Sequence, residues 1–352
     1  MTVRAAEPHW RAALLGERLT GEPGAGAEVR CELCPYRCRL RDGQTGYCRV
    51  RRNTAGRLET ATFTASVAHL DAIERKPFYH VRPGSKVLTL AGPGCSFRCD
   101  YCVNHRLSQY GREVDAPWTG EPARPAELVA LAHAQGADLA LSYAEPSLAP
   151  ELTLALAEHA RPLGVRVLWK SNGFLTPRAV DLVAPVLDAV NIDVKAAQEA
   201  PHQRLTGAPL APVLAAVERF RAAGSWVEVS TPLIPGTSAE PGQLRRIARW
   251  LAAVDPGIPW HLLRFTPDFR MSTANPTLPS ALEEARCIGA DEGLQFVYVE
   301  RALGAEGRNT RCPQCAFTVV RRGIWEAQDN RLAGGGCPSC GTEVPGRWEA
   351  GQ

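Results

Sequence analysis

Residues 86–102 read K-V-L-T-L-A-G-P-G-C-S-F-R-C-D-Y-C. The apolar run Lys86–Ala91 ends in the turn residues Gly92, Pro93 and Gly94. It reads as a strand whose C-terminal end delivers a cysteine loop. Cys95, Cys99 and Cys102 supply three thiolates where a closed metal site uses four. On a [4Fe–4S] cube, three thiolates leave one iron without a protein ligand, and an open metal position is where substrate or cofactor binds. The spacing alone also admits a three-cysteine zinc site completed by a histidine such as His105.

Further strand-like runs follow at Ala137–Tyr143, Val165–Ser171, Ala189–Lys195, Trp226–Ile234, Pro259–Phe265 and Leu294–Glu300. Between them lie amphipathic stretches at Pro125–Gln135, Pro146–Arg161, Pro177–Leu187, Ala211–Ala223, Gly242–Val254 and Leu278–Ile288. Strands alternating with helices imply a parallel sheet with right-handed crossovers. The expected fold is therefore α/β, a partial (β/α)6 TIM-like barrel with its chemistry at the C-terminal strand ends. Glu145, Ser171, Asn172, Asp193 and Lys195 all fall at such ends. Taken singly, each reads equally well as a cap or loop residue; their convergence on one mouth sets them apart.

The other cysteines divide into two quartets and one single residue. Cys312, Cys315, Cys337 and Cys340 form two C-x-x-C pairs 21 residues apart. Each pair suits a tight turn, and four converging thiolates suit tetrahedral Zn²⁺ in the manner of a zinc ribbon. Cys31, Cys34, Cys38 and Cys48 form a looser group, for which structural zinc is favoured and an auxiliary iron–sulfur cluster is the alternative. Cys287, in the apolar helical stretch 281–288, reads as a small core residue. Three regions result. A short N-terminal helix, a Gly/Pro-rich linker (20–28) and the four-cysteine module occupy 1–60; the barrel occupies 61–305; the ribbon occupies 306–352.

The chain has 352 residues, 45% of them hydrophobic, enough for a substantial core. A net charge of +3 argues against a large nucleic-acid footprint or a membrane-surface role. The basic segment 48–57 reads as a solvated arginine face. No run of about 18 apolar residues occurs. Arg4, Glu7, Pro8, His9 and Arg11 break up the first fifteen residues, which do not read as a secretory signal. A cytoplasmic location, where thiols stay reduced, points to metal as the use for twelve cysteines.

C-x-x-x-C-x-Φ-C after the first strand, with Tyr101 as the aromatic, resembles the radical S-adenosylmethionine (SAM) superfamily signature. More specifically, the chain resembles AmmeMemoRadiSam-system radical SAM enzymes, relatives of the pyruvate formate-lyase-activating enzymes. The likeness runs through C-E-L-C-P-Y-R-C-R-L-R-D-G-Q-T-G-Y-C at 31–48, I-E-R-K-P-F-Y-H-V-R-P-G-S at 73–85 and Y-A-E-P at 143–146. It continues with S-N-G at 171–173, N-I-D-V-K at 191–195, L-I-P-G at 233–236, W-H-L-L-R-F-T-P-D at 260–268 and the terminal ribbon cysteines. The resemblance implies that Cys95, Cys99 and Cys102 ligate the cluster and that SAM chelates the open iron. It implies that Glu145 holds the SAM amine, that Tyr101 lies near the adenine, and that Ser171, Asp193 and Lys195 line the methionyl group. Asn172 belongs to the same cofactor-binding set.

The implied chemistry is one-electron cleavage of SAM to a 5′-deoxyadenosyl radical, which takes hydrogen from the substrate. It calls for a flavodoxin- or ferredoxin-like reductant, and the resemblance suggests Memo- or AMMECR-type proteins as substrates or co-workers. Activation of a glycyl-radical enzyme is the rival reading. It is weakened by Lys170-Ser171-Asn172-Gly173, where those relatives typically read Asp-Thr-Asn-Gly with a cation-binding Asp; an ammonium repels such a cation. A second departure is Thr266, where many relatives carry His. A reading from another class is a zinc-only module binding nucleic acid or protein.

Overall fold

The computed structural model describes residues 8–19, 26–112, 118–299, 304 and 306–348. Its central sheet has eight strands: β1 (Val67–Ala72), β2 (Lys86–Ala91), β3 (Ala137–Leu141), β4 (Val167–Ser171), β5 (Ala189–Asp193), β6 (Trp226–Leu233), β7 (Trp260–Arg264) and β8 (Val297–Val299). They lie side by side in chain order, parallel from β2 to β8. Parallel neighbours require crossovers. These are helices α1 (Pro125–Ala134), α2 (Pro150–Ala160), α3 (Pro177–Val183), α4 (Glu199–Thr206), α5 (Ala211–Ala222), α6 (Pro241–Val254) and α7 (Pro279–Asp291). This is the mostly parallel α/β architecture expected from the alternating pattern.

Side chains along each strand alternate between two faces. Leu88, Leu139, Leu141, Val167, Trp169, Val190, Ile192, Val227 and Val229 join the helices in one apolar cluster. Val87, Ala140, Leu168, Ala189 and Trp226 face the other way, against Ile73, Phe78 and Val81. The segment 73–81 thus plugs the second face near the strand starts. Higher on that face the residues turn polar: Asn191, Glu228 and Ser230 are fully buried. Their hydrogen bonds go to the plug and to neighbouring strands. Asn191 Nδ2 donates to Pro77 O at 2.7 Å and Ser230 Oγ to Asn191 Oδ1 at 2.7 Å. Glu228 accepts from Tyr79 N (3.0 Å), His80 N (2.9 Å) and Trp226 Nε1 (3.1 Å), and meets His261 Nε2 at 2.5 Å.

The two small modules dock on this frame. Buried Arg51 pairs with Glu151 of α2 at 2.9 Å, and Thr176 Oγ1, the cap of α3, donates to Glu32 O at 2.7 Å. At the other end, Arg322 of a three-stranded antiparallel sheet donates to Thr310 Oγ1 at 2.7 Å and stacks over Tyr79 at 4.3 Å.

Several expectations need correction. The N-terminal helix is absent among the described residues: Arg11–Ala12 and Gly16–Arg18 are strands, pairing with Arg57–Thr60 and Val29–Cys31. Pro8 and Gly16 bracket too few residues for a stable helix, whereas the module's strand edges offer unpaired backbone groups. The linker is described only from residue 26 onward. Edge strand β1 and helix α4 are additional to the expected elements, since V-A-H-L-D-A and E-A-P-H-Q-R-L-T carry no clear apolar period. The basic segment is not a solvated face throughout, since Arg51 is 1% exposed. Cys287 is exposed: α7 turns Leu282, Ala285 and Ile288 inward and leaves position 287 off that stripe.

Removing the Glu228 carboxylate would leave four buried donors without an acceptor. Glu228→Ala is therefore expected to lower the unfolding free energy by about 3–5 kcal/mol, measured by urea denaturation.

Candidate active site

The cysteine loop leaves β2 through Gly94, at φ +102°. A Cβ there would meet Val50 Cγ1 at 2.7 Å and Cys48 O at 2.9 Å, so only glycine lets the loop pass the N-terminal module. Cys95 and Cys99 are buried and Cys102 is half-buried. Phe97 N donates to Cys95 Sγ at 3.3 Å. Arg112 clamps the loop: its Nη1 donates to Phe97 O (2.8 Å), and its Nη2 to Cys95 O (2.6 Å) and Tyr47 O (2.7 Å). No sequence signal marked Arg112, a single arginine beyond the motif.

Burial pushes the Cys95 thiol well up. It also pushes Cys99 up to about 12, although the charge of Lys195 pulls the other way. A metal that binds these sulfurs displaces their protons. Among the described residues, no three ligand atoms including these sulfurs lie within 4.8 Å of one another. His105 does not complete a single-ion site with them: neither of its ring nitrogens lies within 4.8 Å of two of these sulfurs gathered together. The three sulfurs are thus not gathered as a single tetrahedral ion would hold them.

Glu145 follows β3 and is 7% exposed. Its Oε1 accepts from Ser147 N (2.9 Å) and Ser171 Oγ (2.6 Å), and its Oε2 from Asn172 N (2.9 Å). Burial raises the Glu145 carboxyl above its ordinary value, and these donors only partly offset it. All three donors are neutral, so a ligand ammonium would supply the missing positive charge. Asn172 ties this carboxylate to the cysteines: its Nδ2 donates to Ser96 Oγ at 3.0 Å and lies 3.7 Å from Cys95 Sγ.

Asp193 ends β5 between two ammonium groups. Lys195 Nζ donates to Asp193 Oδ2 at 2.9 Å, Lys170 Nζ bonds Asp193 Oδ1, and Lys170 Nζ also reaches Asn191 Oδ1 at 2.9 Å. Burial would raise the Asp193 carboxyl, but the two lysines outweigh it and hold it at about 2. Lys195 also stands 5.6 Å from the Tyr101 ring centroid. Two lysines and one aspartate leave one net positive charge beside the triad, suited to a ligand carboxylate. The expected residues therefore lie at the ends of β2 to β5: Glu145, Ser171, Asn172 and Cys95 share one hydrogen-bonded set, while Asp193, Lys195 and Tyr101 form a second beside Cys99. Thr266 is exposed beyond β7.

Residues 89–248 match the family model described as the Radical SAM superfamily. An uncharacterized protein of Methanocaldococcus jannaschii is 32% identical over 305 residues, covering 86% of this chain and 90% of that protein. The chain belongs to the radical SAM superfamily.

Within the superfamily it is similar to activating enzymes. The benzylsuccinate synthase activating enzyme of Thauera aromatica is 29% identical over 117 residues, covering 33% of this chain and 35% of that enzyme. The isethionate sulfite-lyase activating enzyme of Desulfovibrio desulfuricans is 29% identical over 178 residues, covering 49% and 55%. Matches to these activating enzymes thus cover about a third to a half of their length. The superfamily implies a [4Fe–4S] cluster and SAM, and the residues of this radical SAM protein fit both. Two buried thiols and the half-buried Cys102 are available to a cluster, and opposite charges at Glu145 and Lys195 suit the two ends of an amino acid.

The C-terminal quartet is built differently. Cys312 and Cys340 sulfurs are 3.6 Å apart, and those of Cys315 and Cys337 are 3.7 Å apart. All four lie within 4.8 Å of one another, as a single tetrahedral ion requires. Among the described residues, no helix is long and apolar enough to cross a membrane.

Asp193→Asn would leave Lys170 and Lys195 facing each other without a counter-charge. The expected loss is about 2 kcal/mol, below that of a fully buried pair because these groups keep some contact with water. A depressed carboxyl stabilises above its unfolded pKa. The wild-type advantage in urea unfolding should therefore hold constant from pH 5 to 9 and fade as pH falls from the ordinary carboxylate range toward 2.

Proposed function

We propose that this chain reductively cleaves SAM and uses the resulting radical on a protein or peptide substrate, as an AmmeMemoRadiSam-type enzyme. The observation that carries this reading is the junction of Glu145, Asn172 and Cys95. A buried carboxylate short of positive charge stands one side chain away from a cluster-spaced thiol.

Cys95, Cys99 and Cys102 hold the cluster and leave one iron for the cofactor. Glu145 takes the SAM amine, Lys195 its carboxylate, and Ser171, Asn172 and Asp193 fix the methionyl group between them. Tyr101 borders the adenine. When bound, cluster and SAM together supply one-electron cleavage to methionine and a 5′-deoxyadenosyl radical. The chain's own part is to orient the cofactor and exclude wrong C–H bonds. A flavodoxin- or ferredoxin-class protein provides the electron, and Memo- or AMMECR-type proteins are the candidate substrates or co-workers. Zinc fills the C-terminal quartet: Zn–S bonds of about 2.3 Å put tetrahedral sulfurs about 3.8 Å apart, close to the 3.6 and 3.7 Å found. The reduced thiols suit the cytosol.

Activation of a glycyl-radical enzyme is a second reading, favoured by the named relatives. Lys170 speaks against it, because its ammonium occupies the end of β4 and is bound to Asn191 and Asp193, leaving no anionic pocket for a cation there.

After anaerobic reconstitution with iron and sulfide, reductant and SAM should yield 5′-deoxyadenosine. Cys99→Ala should abolish it, and product persisting in that variant would refute the ligand assignment. Glu145→Gln should weaken SAM binding by about 10- to 100-fold, the loss of one charge-assisted hydrogen bond, read by equilibrium dialysis. Affinity unchanged within twofold would remove Glu145 from the cofactor site.

A further inference from the structure

Cys31, Cys34, Cys38 and Cys48 wall one cavity together with Tyr36 and Arg51. Every sulfur has a backbone N–H against it: Leu33 at Cys31, Tyr36 at Cys34, Val50 at Cys48, and Tyr47 N at 3.5 Å from Cys38 Sγ. Backbone donors of this kind are the partners that metal-bound sulfurs take. Either zinc or an iron–sulfur cluster could use such donors, so the spacing of the sulfurs decides between them. Among the described residues, no three of these four sulfurs lie within 4.8 Å of one another, whereas all four of the C-terminal quartet do. One tetrahedral zinc holds its sulfurs about 3.8 Å apart. A four-iron cube gives each thiolate its own corner and holds the sulfurs farther apart. Neither the N-terminal quartet nor the Cys95 triad gathers three sulfurs within 4.8 Å.

A second observation concerns a residue of the same cavity wall. Arg51 is 1% exposed, and its Nη2 pairs with Glu151 Oε1 at 2.9 Å, yet its Nε has no hydrogen-bond partner. A buried N–H on a residue of this wall lacks an acceptor, and the sulfides of a cluster are such acceptors. The cavity also adjoins the triad loop. Ser96 belongs to its wall, Cys48 O is packed against Gly94, and Arg112 donates to both Tyr47 O and Cys95 O.

We propose that Cys31, Cys34, Cys38 and Cys48 hold a second [4Fe–4S] cluster, with Arg51 Nε–H as a donor to it, beside the Cys95–Cys99–Cys102 site. Four thiolates leave no open iron, so this site suits electron transfer and not substrate binding. It takes one electron from a flavodoxin- or ferredoxin-class donor, passing from the 2+ to the 1+ state, and returns to 2+ on giving that electron up. The assignment stands on the quartet's own geometry. Only the meaning of its closeness to the triad rests on the radical SAM reading.

The test is iron and zinc analysis of the full chain, reconstituted anaerobically with iron, sulfide and zinc, with electron paramagnetic resonance after reduction. The triple variant Cys95→Ala/Cys99→Ala/Cys102→Ala should keep about four irons and one zinc per chain and a reduced-cubane signal. The complementary variant Cys34→Ala/Cys48→Ala should lose about four irons relative to wild type and no zinc. A triple variant with two zincs and no iron, or with about two irons, overturns the proposal. So does loss of zinc alone from the complementary variant. Iron unchanged between wild type and the triple variant would instead refute the triad assignment, leaving the two failures distinct.

Discussion

The Glu145 carboxylate joins the ends of two successive strands, β3 and β4, that helix α2 separates in the chain. It caps the turn after β3 through Ser147 N and takes Ser171 Oγ and Asn172 N from the end of β4. Asn172 then reaches back to Ser96 and Cys95 after β2. One buried anion therefore sets the relative positions of three loops, and its neutral donors leave it in want of a cation. A carboxylate in that condition is costly in an empty site and favourable in one that receives an ammonium. The site is organised around the charge it lacks.

The rest of the inner face supports that arrangement. Its base is closed by apolar residues of the segment 73–81, its middle carries the Glu228 hydrogen-bond set, and its mouth holds Lys170, Asp193 and Lys195. Polarity rises along the strands toward their C-terminal ends. Parallel strands with right-handed crossovers bring all those ends to one edge, so charged residues far apart in the chain meet there. The Asp193 carboxylate is held ionised by two lysines, which keeps a fixed charge pattern at the mouth.

Most of the frame was legible in the sequence because β2 to β8 are apolar runs with turn residues at their ends. Site residues were legible for the same reason: each lies just past such a run. Other features depend on tertiary partners. Strand β1 is recognisable only from its pairing with β2, and the N-terminal strands form on edges that exist only after the module folds. Arg51 looked like one charge in a basic run, but its acceptor is Glu151, 100 residues away. Metal identity was equally hidden. Four cysteines suit zinc or a cluster, and the sequence does not show that the C-terminal sulfurs alone gather within 4.8 Å of one another among the described residues.

The proposed function requires that a cluster held by Cys95, Cys99 and Cys102 keep one iron free of protein ligands. Mössbauer spectroscopy of the ⁵⁷Fe-reconstituted chain, before and after SAM is added, tests this directly. One iron site of the Cys95–Cys99–Cys102 cluster should change its isomer shift when SAM binds, with the remaining irons unmoved. Spectra identical with and without SAM, in protein shown to contain that cluster, would contradict it.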